Sequence, residues 1–179
     1  MYFLYQLILA IGFIFYGFSY VIKDRKILWL TNITSNIVFF LGYMIYDLKV
    51  AAFLNIVSMI REILLLIADK IKSDKFHAMC FFVIMVVTIC IGVFTYEDIY
   101  SSIPVLANVI FAYSIWQKNV KTYRLCGIVV QANWVVYAFY INSIVSIVCD
   151  GLILLGVIYT YYKICKEDVV TSTGDIVKK

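Results

Sequence analysis

Seven apolar runs, each close to bilayer length and each ended by a short charged or polar break, leave this chain few ways to fold. A helix needs about 17 to 25 largely apolar residues to cross the hydrocarbon core. The runs cover 2–22, 27–46, 50–68, 76–95, 101–117, 124–141 and 143–165. The breaks are Lys23-Asp24-Arg25-Lys26, Asp47-Leu48-Lys49, Asp69 to Lys75, Tyr96-Glu97-Asp98, Lys118 to Tyr123 and the pair Asn142-Ser143. At 64% hydrophobic and 15% charged residues, with mean hydropathy +0.96, the chain lies outside the range of soluble globular domains. The expected class is an all-α, multi-pass membrane protein.

Basic residues set the expected orientation. Lysines and arginines at 23, 25, 26, 70, 72, 75, 118, 121, 124, 163, 166, 178 and 179 fall on one side of the membrane, Lys49 alone falls on the other, and Arg61 lies within a span. Positive charge is retained in the cytoplasm, so the N-terminus is expected outside and the C-terminus inside. The first run has no Lys or Arg before it and is read as a helix, not a signal peptide. Tyr2, Tyr5, Tyr43, Tyr46, Tyr96, Tyr100, Tyr137 and Tyr140 lie near the expected outer ends, where tyrosines form interfacial belts. The polar tail 166–179 is expected to fray.

Little in the chain points to catalysis. The five cysteines, at 80, 90, 126, 149 and 165, sit in apolar runs and read as small buried hydrophobes. His77 is the one histidine and Pro104 the one proline. No HExxH, no aspartate pair at helical spacing and no Gly-rich phosphate loop occurs, so no enzyme, cofactor or metal site is expected. A retinal protein would need a lysine in the middle of its last helix, whereas Lys163 is near the end. The basic residues are loop charges without an aromatic platform, so no nucleic acid is expected either.

Internal symmetry organises the runs. A shift of 95 residues brings Lys23 onto Lys118, Lys26 onto Lys121, Asp47 onto Asn142 and Asn55 onto Asp150 without a gap. Identities are few, but both charge breaks and both outer turns keep register while the fourth run is skipped. This predicts a first three-helix repeat over 1–68, a linker helix over 76–95 and a second repeat over 101–165. An odd linker makes the two halves parallel.

Depth picks out a layer. Trp134 lies eight residues before the Asn142 turn and Asp150 eight after; Phe39 and Asn55 repeat that spacing about Asp47. At about 1.5 Å per residue all four sit roughly 12 Å below the outer turns. An ionisable group such as Asp150 is costly inside a membrane and faces a partner or a water-filled cavity. The plain alternative is a helix-packing carboxylate, hydrogen-bonded to Asn55 or Gln131. Asn36 and Gln131 are repeat partners, and Asn32 shares a helix face with Asn36. These amides line a pocket or hold helices together. Arg61 and Glu62 are neighbours in sequence and point about 100° apart on a helix, so no direct pair is expected, and Arg61 is expected to snorkel to the cytoplasmic end.

Parallel three-helix halves around a linker are the arrangement of SWEET-type transporters, and the chain resembles that superfamily, which includes the PQ-loop and PnuC-type proteins. In Phe40-Leu41-Gly42, Leu54-Asn55 and Pro104-Val105 it looks more specifically like the bacterial inner-membrane family YgjV. The SWEET resemblance implies a central pocket with an aromatic from the sixth span and an asparagine from each of the third and seventh. Trp134 and Asn55 match; Asp150 puts a carboxylate where an amide is expected, which turns the pocket toward a cation or a proton. The resemblance also implies a hinge at Pro104, although a helix start explains that proline as well. The Pro-Gln dipeptide of PQ-loop proteins is absent.

The expected function is therefore transport of a small polar solute, a sugar, nucleoside-like vitamin or small amine, by alternating access around this pocket, with proton coupling left open. The alternative is a non-transporting scaffold or subunit of a membrane complex, which would have no cavity. The expected partners are the solute and the lipid bilayer. Two fused repeats supply both halves of a pathway, so a homo-oligomer is not required.

Overall fold

A computed structural model describes residues 2–21, 25–71, 73–116 and 120–176. Of the residues that set the expected orientation, Lys23, Lys72, Lys118, Lys178 and Lys179 lie outside the described residues, as does Asp24 of the first break. The described residues form seven α-helices and no strand: α1 Tyr2–Val21, α2 Arg25–Ile45, α3 Lys49–Ile71, α4 Asp74–Phe94, α5 Ser102–Trp116, α6 Val120–Tyr140 and α7 Ile144–Ile176. A 3-10 turn, Ile99–Ser101, precedes α5. α7 continues past Glu167, where the sequence suggests a frayed tail.

Three helices contain stretches long and apolar enough to cross a membrane: Lys49–Ala68, Lys75–Phe94 and Ile144–Lys166. Shorter apolar stretches cover Tyr2–Phe18, Leu30–Ile45 and Ile99–Ser114. The sequence suggests seven spans of similar standing; polar side chains account for part of the difference. α6 carries Lys121, Arg124, Gln131 and Asn133 within its 21 residues, and each lowers its mean hydropathy. Only 17% of the α4 stretch and 11% of the α7 stretch are buried within the protein. Both helices turn apolar side chains such as Phe82, Phe94, Leu152 and Leu155 outward, as a helix in lipid does.

Packing follows chain order. α2 packs on both α1 and α3, and α6 on both α5 and α7, while α4 bridges α3 and α5. The two groups meet through α1 with α7 and α3 with α5. At the first junction Gln6 Oε1 accepts from the Ser143 hydroxyl (3.3 Å) and from the Val145 N–H (3.1 Å), and the Tyr2 hydroxyl donates to the Asn142 carbonyl. Ser143 also accepts from the Ser146 N–H, satisfying one of the open donors at the start of α7.

The turns after α2 and α6 are built alike. Leu48 N donates to Tyr43 O and Asp47 N to Met44 O; 95 residues later Ser143 N donates to Ala138 O and Asn142 N to Phe139 O. This pair of bonds is the Schellman closure of a helix C-terminus. It requires a left-handed residue, and Asp47 (φ 57°) and Asn142 (φ 52°) supply it. Short polar side chains enter that region more readily than other non-glycine residues.

A core cluster lies beside these turns. Tyr5, Leu9, Tyr43, Ala51, Ala52, Tyr137 and Ile141 are buried together, with Phe39 and Trp134 packed against them. Three of the eight tyrosines read as an interfacial belt, Tyr5, Tyr43 and Tyr137, are thus core residues, whereas Tyr2, Tyr46, Tyr96, Tyr100 and Tyr140 are exposed. Position near a helix end does not reveal which face a ring occupies. Tyr5 stacks on Tyr46 at 4.5 Å. All five cysteines are free thiols; Cys80 is buried as expected, whereas Cys126, Cys149 and Cys165 are partly exposed and Cys90 is exposed.

The loop before α5 is closed by a reciprocal cap. Asp98 Oδ1 accepts from Ser101 N at 2.8 Å, and Ser101 Oγ accepts from Asp98 N at 3.2 Å. The Tyr140 hydroxyl donates to the other carboxylate oxygen. The Tyr140 bond, and after it the Ser101 N–H, hold the Asp98 carboxyl below its ordinary pKa.

Candidate functional site

A cavity of about 390 Å³ lies between the two helix groups, within the size range of small-molecule sites. α2 contributes Asn32, Asn36, Phe39 and Tyr43, a stripe at steps of 4, 3 and 4 that keeps one helix face inward. Asn55, Ser58 and Glu62 do the same on α3, at steps of 3 and 4. α1 adds Phe13 and Tyr16, α5 adds Ala107, Asn108 and Phe111, and α7 adds Asp150. From α6 come Tyr123, Arg124, Val130, Gln131 and Trp134. The cavity therefore reaches from the tyrosine core beside the Asp47 and Asn142 turns to the first turn of α6.

All six residues singled out from the sequence as candidate ligands, Asp150, Asn55, Trp134, Phe39, Asn36 and Gln131, line this one cavity. Pro104 is fully buried in the first turn of α5, and its carbonyl accepts from Asn108 Nδ2 at 3.1 Å. Asp150 is 6% exposed, and its Oδ1 accepts from Gln131 Nε2 at 2.6 Å. Of the two partners named for it, the amide one turn-pair away on α6 is the one engaged. Asn55 Nδ2 instead donates to Ala51 O on its own helix at 2.7 Å.

Five pairs of lining residues are related by the 95-residue shift: Phe13 with Asn108, Tyr16 with Phe111, Asn36 with Gln131, Phe39 with Trp134, and Asn55 with Asp150. Local packing sets the aromatic layer. A Cβ on Gly12 would stand 2.6 Å from the Phe39 ring, so α1 can approach α2 there only without a side chain. Phe39 also meets Phe13 edge-on at 4.9 Å, and Trp134 meets Tyr137 edge-on.

The sequence does not point to the polar wall made by α3 and α5. Arg61 is buried, and its guanidinium lies 4.4 Å over the Phe111 ring. It donates to Asn108 Oδ1 at 3.4 Å and to Glu62 Oε1 at 3.3 Å. The expected absence of an Arg61–Glu62 pair and the expected snorkelling of Arg61 are both incorrect. The 100° between adjacent Cβ atoms is overcome by the length of the arginine side chain, whose guanidinium reaches both Glu62 and, on α5, Asn108 and Phe111. Asn108 Oδ1 also accepts from Ser58 Oγ at 3.1 Å, so one amide ties two groups of α3 to α5. The i, i+3, i+7 spacing of Asn55, Ser58 and Glu62 is the signal that could have revealed this wall.

Chemically the cavity offers aromatic faces, neutral amides and charges of both signs. It can hold a small polar solute. Among the described residues no group of three or more His, Cys, Asp or Glu is placed to hold a metal ion.

No curated protein and no solved structure matches the chain significantly. The sequence model of one family, Imp-YgjV, described as bacterial inner membrane protein, matches residues 3–168, nearly the whole chain, and the chain accordingly belongs to the YgjV family of bacterial inner membrane proteins.

Proposed function

We propose that the protein is a seven-span transporter of a small polar solute, working by alternating access around the cavity. In this reading 1–68 and 101–165 are parallel three-helix repeats, 76–95 is the linker helix, the N-terminus is outside and the C-terminus inside. The arrangement is SWEET-like, in a bacterial inner membrane. The observation that carries it is the pairing of cavity residues across the repeat: ten lining residues fall into five pairs at one fixed shift. Transporters built from repeats place the substrate site at the repeat interface near the midplane. The Asn55 and Asp150 layer, roughly 12 Å below the outer turns, is at such a depth.

The tyrosine core then closes the outer side while the cavity extends toward the cytoplasmic end of α6. Rocking the halves about Asn55 and Asp150 would loosen the Tyr5, Tyr43 and Tyr137 cluster and pack the opposite end. Proton coupling through Asp150 belongs to this proposal, as does a hinge at Pro104. A scaffold has no use for a solute-sized cavity with a buried carboxylate, so the cavity favours transport over that alternative.

The test is solute uptake into proteoliposomes by the wild type, Asp150→Asn and Asp150→Ala, over pH 5 to 8. Loss or altered pH dependence of uptake in folded variants supports the proposal. Full transport by both variants at every pH removes Asp150 from the mechanism, and no uptake of any solute class by the wild type removes the transporter reading.

A further inference from the structure

The cavity carries charge of both signs, and the signs are segregated. In the layer of Trp134 and Phe39 the formal charge is Asp150, whose hydrogen-bond partner is the neutral Gln131 amide. Toward the other end lie Arg61, Glu62 and Arg124. Arg61 and Glu62 pair with each other, which leaves Arg124, whose guanidinium stands 5.7 Å from the Tyr123 ring centroid, as the cation without a carboxylate partner among the described lining residues. Arg124 precedes Gln131 by seven residues on α6, two turns along the same face and roughly 10 Å apart along the axis. Helix side chains lean toward the N-terminus, which carries the Arg124 guanidinium further from Asp150. The two poles therefore do not neutralise one another.

A second observation points the same way. Among the described residues, six buried side-chain nitrogen or oxygen atoms lack a hydrogen-bond partner, and four belong to cavity-lining residues: Asn32 Oδ1, Arg61 Nε, Glu62 Oε2 and Arg124 Nε. All four lie on the Arg124 side of the Asp150 layer, and the two donors among them, Arg61 Nε and Arg124 Nε, are the ones an anion's oxygens can meet, whereas Asn32 Oδ1 and Glu62 Oε2 accept and call for a donor. Arg61 and Glu62 are only 6% and 4% exposed, so their unmet polar atoms are costly without a partner. At the opposite pole Phe39 and Trp134 share the level of Asp150, and aromatic faces beside a carboxylate suit an ammonium group.

We infer that the solute is a small zwitterion: an ammonium group held by Asp150 with Trp134 and Phe39, and an anionic group, carboxylate or phosphate, directed to Arg124 and the Arg61 edge. This inference rests on the proposal that the cavity binds a solute. A simple amine leaves Arg124 uncompensated, a simple acid leaves Asp150 uncompensated, and a neutral sugar leaves both. Discrimination comes from those unpaired charges as much as from the contacts made.

The experiment is thermal melting of the detergent-purified full-length protein with a matched panel. The zwitterions are glycine, phenylalanine, 4-aminobutyrate and phosphoethanolamine. Their single-charge counterparts are methylamine and acetate for glycine, phenethylamine and 3-phenylpropionate for phenylalanine, butylamine and butyrate for 4-aminobutyrate, and ethylamine and ethyl phosphate for phosphoethanolamine, and glucose and uridine are the neutral compounds. Ligands of the folded state raise the melting midpoint by mass action. The expected result is at least one zwitterion with an apparent Kd about tenfold or more below those of its matched amine and matched acid, a gap of one decade. Arg124→Gln is expected to abolish the preference over the matched amine, Arg124→Lys to keep it, and Asp150→Asn to abolish the preference over the matched acid. The carboxylate and phosphate arms identify which anion is taken.

An amine or an acid binding as tightly as its zwitterion overturns the inference. Stabilisation by glucose or uridine with none by the zwitterions overturns it too, and leaves the transporter reading standing. Absence of any shift with folded wild type overturns both. The wild-type panel decides the matter even where a variant fails to fold.

Discussion

Gln131 donates to Asp150 across 2.6 Å, whereas the residues 95 positions earlier, Asn36 and Asn55, behave differently: Asn55 turns its amide back to Ala51 O. The residues related by the 95-residue shift thus share positions in the cavity wall and matching turns but not this polar bond, and the cavity is chemically lopsided. In membranes an interhelical side-chain bond contributes about 0.6 kcal/mol on average and up to about 1.7. A double-mutant cycle on Gln131→Ala and Asp150→Ala is expected to give a coupling of about 1 kcal/mol, read from unfolding in mixed micelles. The same cycle on Asn36 and Asn55 is expected to give a coupling near zero.

Arg61 and Glu62 form a buried pair within the cavity wall. Removing one member strands the other charge, at a cost of about 3 to 5 kcal/mol, while replacing both with apolar residues is often close to neutral. Arg61→Leu and Glu62→Leu are each expected to lower the melting midpoint strongly, and the double variant to recover most of the loss. A double variant as unstable as the worse single one would mean that the Asn108 bond and the Phe111 contact matter more than charge balance.

Gly12 and Gly17 lie on the same helix and make opposite predictions. An added methyl at Gly12 meets the Phe39 ring at 2.6 Å, and one at Gly17 meets nothing within 4 Å. Gly12→Ala is expected to cost about 1 to 3 kcal/mol as an overpacked site, and relief by moving Phe39 would shrink the cavity and weaken any ligand. Gly17→Ala is expected to gain about 0.5 to 1 kcal/mol from helix propensity. Comparative melting of the two single variants checks both.

Asp98 connects pH to stability at the loop before α5. The Tyr140 hydroxyl, and then the Ser101 N–H, lower its folded pKa below the ordinary 3.8. A group with a depressed folded pKa contributes stability above its unfolded pKa and loses that contribution as pH falls through the folded value. Wild type is therefore expected to melt above Asp98→Asn at pH 6, with the gap closing steadily below about pH 4. Tyr140→Phe is expected to shift that closure to higher pH. A gap that stays constant down to pH 3 would remove the carboxylate from the explanation.

The helices, the turns at Asp47 and Asn142 and the layer counted from them are readable because they depend on short-range rules: hydropathy length, turn residues and a rise of about 1.5 Å per residue. Counting eight from Asp47 and eight from Asn142 leads to four residues that do share a cavity. What escaped that arithmetic depends on side-chain reach and on the facing of particular rings. Arg61 was assigned by the direction of its Cβ, yet its guanidinium ends over Phe111 on α5. Tyr5, Tyr43 and Tyr137 were assigned by nearness to a helix end, yet they face one another and not the interface. Arg124 opens the run 124–141 in the sequence and groups with the basic residues of one side, because its place one turn into α6 is set by where that helix starts, and helix ends are the least certain part of a hydropathy reading.

The matched Schellman closures at Asp47 and Asn142 also restrict how this chain can change in length. Each closure pins the top of a hairpin, so the distance down either arm to Asn55 or Asp150 is a count of residues. One residue inserted in an arm swings everything below it by about 100° and lowers it about 1.5 Å, taking the polar side chain off the cavity. Four residues bring it back to within about 40° of its face, some 6 Å deeper. Cavity depth in this architecture is therefore quantised in steps of about one helical turn, taken by both arms of a hairpin together, and single-residue drift in these segments is closed to it.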